Sequence, residues 1–220
     1  MRLWNAPTNR LSAAALAVFL PFLSPTGAAG QGPSAHGAGQ VGTGQGKSLG
    51  NPAAPILVEM YSDFQCPHCK HLHETFLPGF IKDYVDTGKA YFVCREFPLQ
   101  GFGPKSREAA AYATAAGRIG KFQPVAHALF QNQASWVLSG KIWETVAAVL
   151  TPAEQAKVQT LFKDPAIAAE VQHDVDTGLK IPVTSTPTLV LTHRLQQRPW
   201  TFFDDGGTLF RGYMDELLKK

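Results

Sequence analysis

The chain has 220 residues, 45% of them hydrophobic and 17% charged, with a formal net charge of +3. This is enough apolar material for one ordinary domain with a real core, and so weak a charge, with no basic run, argues against a nucleic-acid partner. Three cysteines are too few for a disulfide scaffold; two in one motif and one left over suggest redox chemistry or metal binding instead.

Arg2 and Arg10 precede an apolar run from Leu11 to Leu23, and the small residues Thr26 to Gly30 follow. The run is about 13 residues, short of the roughly 20 needed to span a bilayer. Residues 1–29 therefore read as a secretory signal peptide with cleavage near Ala28 or Ala29. The alternative is an uncleaved anchor, for which Pro21 and Pro25 make a poor helix. Removing this segment leaves 18 Lys and Arg against 17 Asp and Glu. Residues 30–50, rich in Gly, Gln and Ser, read as a flexible linker. The run Gly44 to Ser48 has the wrong glycine spacing for a phosphate loop, and no strand precedes it.

The folded domain is expected over 51–220. Ile56 to Tyr61 is apolar except for Glu59, as in a strand buried on both faces. Cys66 to about Asp86 reads as a helix with one stripe, Leu72, Phe76, Phe80 and Tyr84, interrupted by Pro78 and ended by Thr87-Gly88. Ala90 to Phe97 is a second strand, so the opening is β-α-β with a right-handed crossover. Residues 104–180 carry about five helical patterns and no strand. Thr151-Pro152 and Asp164-Pro165 mark helix starts there, and Gly178 marks an end. Thr188 to Thr192 and Trp200 to Phe203 read as strands, Asp204 to Gly207 as a turn, Thr208 to Phe210 as the return arm of a hairpin, and Tyr213 to Lys220 as a terminal helix.

The chemistry concentrates at Cys66-Pro67-His68-Cys69. A cysteine at a helix N-terminus faces unpaired backbone N–H groups, which favour its thiolate and can bring a thiol pKa from ~8.5 to between ~3.5 and 7. Protonated His68 would add to this, and Pro67 restrains the loop. Cys69, one turn further on, would stay a thiol until it resolves the mixed disulfide formed by Cys66. A stabilised Cys66 thiolate favours the reduced form and so makes the disulfide a strong oxidant. The rival reading is a metal site, since Cys66, Cys69 and His73 share one helical face with His71 nearby; no second Cys pair or paired histidines support it. The second motif is Thr184-Ser-Thr186-Pro187-Thr188, before a strand. An X-Pro bond there can be cis, and the adjoining backbone, with Thr186 and Pro187, could pair with an extended substrate segment.

Tyr61 to Cys69, Phe97-Pro98-Leu99 and Thr184 to Thr188 together resemble the DsbA-like branch of the thioredoxin superfamily, over roughly Pro55 to Thr192. The resemblance implies an α/β thioredoxin-like fold with a helical insertion between its βαβ and ββα halves. It implies Cys66 as nucleophile, Cys69 as resolving cysteine and Pro187 as a cis-proline. The expected activity is dithiol oxidation of unfolded or reduced exported proteins in the periplasm or another extracytoplasmic space, without a cofactor. Reoxidation would fall to a membrane partner of the DsbB or vitamin-K-epoxide-reductase (VKOR) type. A reductase or isomerase in the same compartment is the close alternative. No dimerisation domain is recognisable, so a monomer is expected.

Two departures from the family pattern stand out. Thioredoxin relatives often carry an acid six positions before the first cysteine, where this chain has Met60; Glu59, one residue earlier, should point to the opposite face of its strand. The connection Arg194 to Asp205 is also long and polar for the family. Cys94 reads as a buried, inert thiol, with a relay to Cys66 or pairing between chains as the alternatives. His127 and His173 read as structural residues, and Trp136, Trp143 and Trp200 as mostly core.

Overall fold

A computed structural model describes residues 46–201 and 207–219. The expected signal peptide, most of the expected linker and the Asp204–Gly206 part of the expected turn lie outside them. Five strands form one mixed sheet: β1 (Ser48–Leu49), β2 (Ile56–Ser62), β3 (Ala90–Glu96), β4 (Thr188–His193) and β5 (Gln196–Thr201), in the order β1-β3-β2-β4-β5. β2 and β3 run parallel, with Met60 beside Cys94 and Ser62 beside Glu96; the other three pairings are antiparallel. The parallel pair is joined by α1 (Pro67–Thr75), α2 (Leu77–Phe80) and a π turn over Ile81–Val85. Pro78 has no N–H to continue the helical ladder, and the helix breaks one residue before α2. The stripe Leu72, Phe76, Phe80 and Tyr84 is buried throughout.

Alternation along the central strands sorts the sheet into two faces. Ile56, Val58, Met60, Phe92, Cys94, Leu189 and Leu191 join the main core with residues of α1, α2 and α9 (Thr208–Leu218). Tyr61, Phe97 and Val190 pack on the other face with Val183, Val175 and Ile181. Residues 104–180 hold six helices: α3 (Pro104–Gly117), α4 (Phe122–Gln131), α5 (Gln133–Ser139), α6 (Ile142–Ala147), α7 (Pro152–Phe162) and α8 (Pro165–Lys180). The sixth, α5, has no separate sequence pattern; its Trp136 is fully buried and donates its indole N–H to Leu129 O at 2.7 Å. At α7 the Thr151 and Glu154 side chains cap each other's backbone N–H, the reciprocal arrangement that satisfies two orphan donors.

Four expectations are corrected. Residues 46–50 are not linker: Gly46 holds φ +79°, a Cβ there would fall 1.9 Å from Gly117 O, and β1 pairs with β3. Low apolar content hid this because the arm is held by its backbone and by one buried charge. Gly178 does not end a helix. It lies inside α8, where a Cβ would come within 2.8 Å of both the Tyr61 and Phe97 rings. Gly178→Ala should therefore lower stability by about 1–3 kcal/mol through overpacking, against the gain of about 1 kcal/mol that alanine brings to an open helix position; urea unfolding would measure the sign. The second of the late strands begins at Gln196 rather than Trp200, directly after a two-residue turn at Arg194-Leu195 with both φ values positive. Its residues Gln196, Gln197, Arg198 and Pro199 are exposed, the polar and proline-bearing composition of a protected edge strand. Finally, Thr208 to Phe210 opens α9 instead of closing a hairpin. Phe210 and Met214, one turn apart, are both buried, and the Phe210 ring meets Phe76 and Trp200.

A buried ionic cluster fastens α8 to the sheet edge. Asp174 accepts from Lys47 Nζ at 2.6 Å, from Arg95 at 3.0 Å and from the Glu96 backbone N–H at 3.1 Å. Arg95 also donates to Glu59 at 2.6 Å, and Lys47 lies 3.2 Å from Glu170, which in turn pairs with Arg118. Lys47 is wholly buried. Burial disfavours its charge, but the carboxylates facing it, Asp174 first, outweigh this and hold the ammonium above its ordinary pKa.

Candidate active site

Cys66 stands at the N-cap of α1 with extended backbone, and Pro67 takes the first helical position, where its missing N–H costs nothing. The preceding loop is tied down by Asp63. Its carbonyl accepts from Cys66 N–H at 3.1 Å; its carboxylate accepts from Gln65 N–H at 2.7 Å, Ser106 Oγ at 2.8 Å and Leu99 N–H at 2.7 Å. Burial nevertheless pushes the Asp63 carboxyl up from its ordinary value, and these hydrogen bonds only oppose the rise. From α5, Gln133 Nε2 donates to the carbonyls of Phe64 at 2.7 Å and Cys66 at 3.0 Å. The helical insert thus holds the loop that presents the first cysteine. Reading the sequence assigned no role to Asp63 or Gln133. The Asp63-x-Gln65 spacing is that of an Asx turn and could have been noticed; Gln133 acts across 67 residues and leaves no local trace.

The two cysteines are electrostatically unlike. Both are buried and unbridged. Cys66 is pulled down to about 5, first by a hydrogen bond from Cys69, against the opposing effect of burial, then by Thr186 and by the backbone N–H groups of Cys69 and His68. Cys69 is pushed well above its ordinary value by burial and by the hydrogen bond and negative charge it shares with Cys66, while Asp63 N–H and the Ser62 hydroxyl pull the other way. Only one of the two is thus held as a thiolate near neutral pH, and it is the one nearer the start of the helix. His68 and Pro67 are exposed, and the contribution of residue 68 to the thiolate runs through its backbone N–H.

Thr186–Pro187 is a cis peptide bond, and Cys66 Sγ lies 3.3 Å from Thr186 O. The Thr184–Thr188 loop therefore lies directly against the first cysteine, across 120 residues. The Thr186 hydroxyl is buried without a full hydrogen bond and is oriented so that it favours the Cys66 thiolate.

Other candidates fall elsewhere. Glu59 does lie on the face away from the cysteines, paired with Arg95; the β2–β3 register runs without a bulge. Met60 joins the core on the cysteine side. The His73 ring packs tilted by 35° against Phe130, centroids 4.8 Å apart, and faces His127 with 3.4 Å between ring nitrogens. Burial, then the neighbouring His127, lowers its pKa to about 4. Among the described residues no three His, Cys, Asp or Glu side chains are placed to hold a metal ion; Cys66, Cys69 and His73 are not brought together as a ligand set, and His73 packs against Phe130 and His127. Cys94 is buried in β3, and burial raises its thiol far above the ordinary value, which leaves it unreactive.

Comparison with known proteins agrees with this geometry. The thioredoxin family model matches residues 43–204. A putative protein-disulfide oxidoreductase of Rickettsia typhi is 33% identical over 101 residues, covering 46% of this chain and 36% of its own; the chain spans about a third of the length of that relative. The crystal structure of oxidised BdbD from Bacillus subtilis superposes with a TM-score of 0.67 at 24% identity, covering 80% of this chain and 94% of the other. That of alpha-DsbA1 from Wolbachia pipientis gives 0.65 at 21% identity, covering 79% and 90%. With its mixed sheet, its insert of six helices and its cysteine pair at the start of α1, the chain belongs to the thioredoxin family and has the DsbA-like form of the fold.

Proposed function

We propose that the protein is a thiol–disulfide oxidoreductase working as a dithiol oxidase on reduced, exported proteins. The observation that carries the reading is the split between the two sulfurs: Cys66 lowered to about 5 and beside Thr186 O, Cys69 buried and raised. In this reading a substrate thiolate attacks Cys66 of the disulfide, and Cys69 leaves and takes up a proton. A second substrate thiolate then displaces Cys66 as a thiolate. The helix start stabilises that leaving thiolate, which favours handing the bond on rather than keeping it. The substrate segment lies extended beside Thr186 and Pro187, whose backbone is adjacent to the reacting sulfur. Pro67 and His68 set the loop between the cysteines. The catalytic cycle closes by reoxidation through a membrane partner of the DsbB or VKOR type, and the enzyme works as a monomer. Residues 1–29 act as the export signal, taking the protein to a periplasmic or other extracytoplasmic space where disulfides persist. No described helix is long and apolar enough to cross a membrane.

The reading is tested by equilibrating the protein with glutathione and titrating the reduced form. A potential less negative than about −180 mV is expected, in the range of oxidising family members; a value near −270 mV, as in thioredoxin, would make it a reductase. Thiolate absorbance should titrate with a midpoint near 5. Because that pKa is depressed on folding, the thiolate's contribution to the reduced form's stability is complete above the unfolded value of ~8.5. It is lost as pH falls through about 5, so the reduced form should gain on the disulfide form as pH rises through that window.

A further inference from the structure

Resting on the oxidoreductase reading, one step lacks an evident partner. When Cys69 leaves, its sulfur is buried and its thiolate disfavoured. A proton must reach it, yet the acid one might expect on β2 is replaced by Met60, and Glu59 is committed to Arg95 on the opposite face.

The cysteine side of the sheet holds a different carboxyl. Glu96 is 3% exposed and stands beside Ser62 in the parallel register of β2 and β3. Neighbouring strands lie about 4.8 Å apart, so the two side chains share one face at adjacent positions. Both line a cavity of about 10 Å³ with Met60, Phe64, Cys94 and Gln123, which is room for about one water. Two buried polar atoms at this cavity, Ser62 Oγ and Gln123 Nε2, make no full hydrogen bond, although the Ser62 hydroxyl is close enough to Cys69 to favour its thiolate. A buried hydroxyl left so is expensive unless it has a use or a solvent partner.

We propose that Glu96 is the proton reservoir of Cys69, reached through the Ser62 hydroxyl and the small cavity. In the oxidising half-reaction a substrate thiolate forms its bond to Cys66 Sγ and the Cys66–Cys69 bond breaks. The electron pair stays on Cys69, Ser62 passes its hydroxyl proton to that sulfur, and Ser62 is reprotonated from the Glu96 carboxylic acid through a water in the cavity, leaving a carboxylate. Reoxidation runs the transfer backwards.

The surroundings suit a group that is protonated at rest. Burial raises the Glu96 carboxyl well above the carboxylate range; Lys47 opposes the rise, while Asp174, Asp63 and Glu170 add to it. The charged and titratable groups around it are Lys47 from the arm, Asp63 from the β2–α1 loop, His73 from α1, Cys94 and Arg95 from β3, and Glu170 and Asp174 from α8; Cys69 is reached through Ser62. The ionic cluster thus has a second consequence: Asp174 holds the Glu96 backbone while its negative charge discourages ionisation of the side chain.

The test compares the wild-type protein with Glu96→Gln, which keeps the shape and removes the proton. Single-turnover reaction of the disulfide form with a reduced peptide is followed across pH and normalised for the peptide's thiolate. The variant should be between about tenfold and 10²-fold slower at pH 7, at or below the low end for a positioned acid because the proton passes through a hydroxyl. It should also lose the high-pH break expected of the wild type where Glu96 ionises, a change that loosened packing alone would not produce. Independently of whether the variant folds, the redox-difference infrared spectrum of the wild type should show a carboxylic-acid band that changes between disulfide and dithiol forms. A Glu96→Gln rate within twofold of wild type with the same break, or a difference spectrum without that band, overturns the relay. An inert wild-type protein would instead overturn the oxidoreductase reading itself.

Discussion

Cys66→Ala is expected to abolish oxidation of a reduced test protein, by roughly 10³-fold or more, because no other sulfur can take over as the attacked atom. Cys69 is buried and held as a thiol; Cys94 is buried in mid-strand, and burial raises its thiol far above the ordinary value as well. Cys94→Ala should accordingly leave the rate close to wild type. Comparable losses in the two variants would mean that Cys94 relays electrons and that the division of labour described here is mistaken. Cys69→Ala should behave differently from both: it has no disulfide to donate, but offered a disulfide-bonded peptide its Cys66 thiolate displaces one peptide sulfur and, with no resolving thiol, stays as a mixed disulfide that can be trapped and seen by mass. Measured side by side in an insulin- or peptide-oxidation assay, the three variants separate attacked atom, resolving thiol and inert core residue.

The largest effect on stability is expected at Asp174. Its carboxylate serves Lys47 and Arg95 as well as the Glu96 N–H, and both cations are nearly or wholly excluded from solvent. Removing it leaves Lys47 with Glu170 at 3.2 Å and Arg95 with Glu59, one acid for each buried base. Loss of one partner from a buried ionic set typically costs 3–5 kcal/mol, because a desolvated charge is left under-compensated. Asp174→Ala should reduce the urea unfolding free energy by about that amount, enough to consume a large part of the margin of an ordinary domain. Pairing Asp174→Ala with Lys47→Met should recover part of the loss, since the stranded ammonium is then gone. A single-variant loss below about 1 kcal/mol, in the range of exposed pairs, would show that water reaches the cluster freely.

Much of the local structure was legible without coordinates because it obeys short-range rules. The stripe of α1 and α2, the proline break, and the caps at Thr151 and Asp164 are set by neighbours within one or two helical turns. The errors share a cause. β1 and β5 are held by backbone pairing to β3 and β4, and an edge strand with polar side chains has no hydrophobic period to detect. Gly178 looked like a terminator because a glycine late in a helix usually is one; here two aromatic rings from the sheet occupy the space of its side chain.

The cysteine spacing, the helix that begins at it and the proline-bearing loop before β4 were all determined by the linear order of residues. These features depend on backbone chemistry within a few positions, and they were sufficient to point to redox exchange and to the family. What only the tertiary structure decided is which groups control the two sulfurs. Thr186 reaches Cys66 from 120 residues away, Gln133 from 67, and Glu96 stands beside Ser62 because two parallel strands fall into one register. Charge, proton supply and access at a buried sulfur are set by whatever the fold brings within a few ångströms, and that proximity is a property of packing, not of sequence distance.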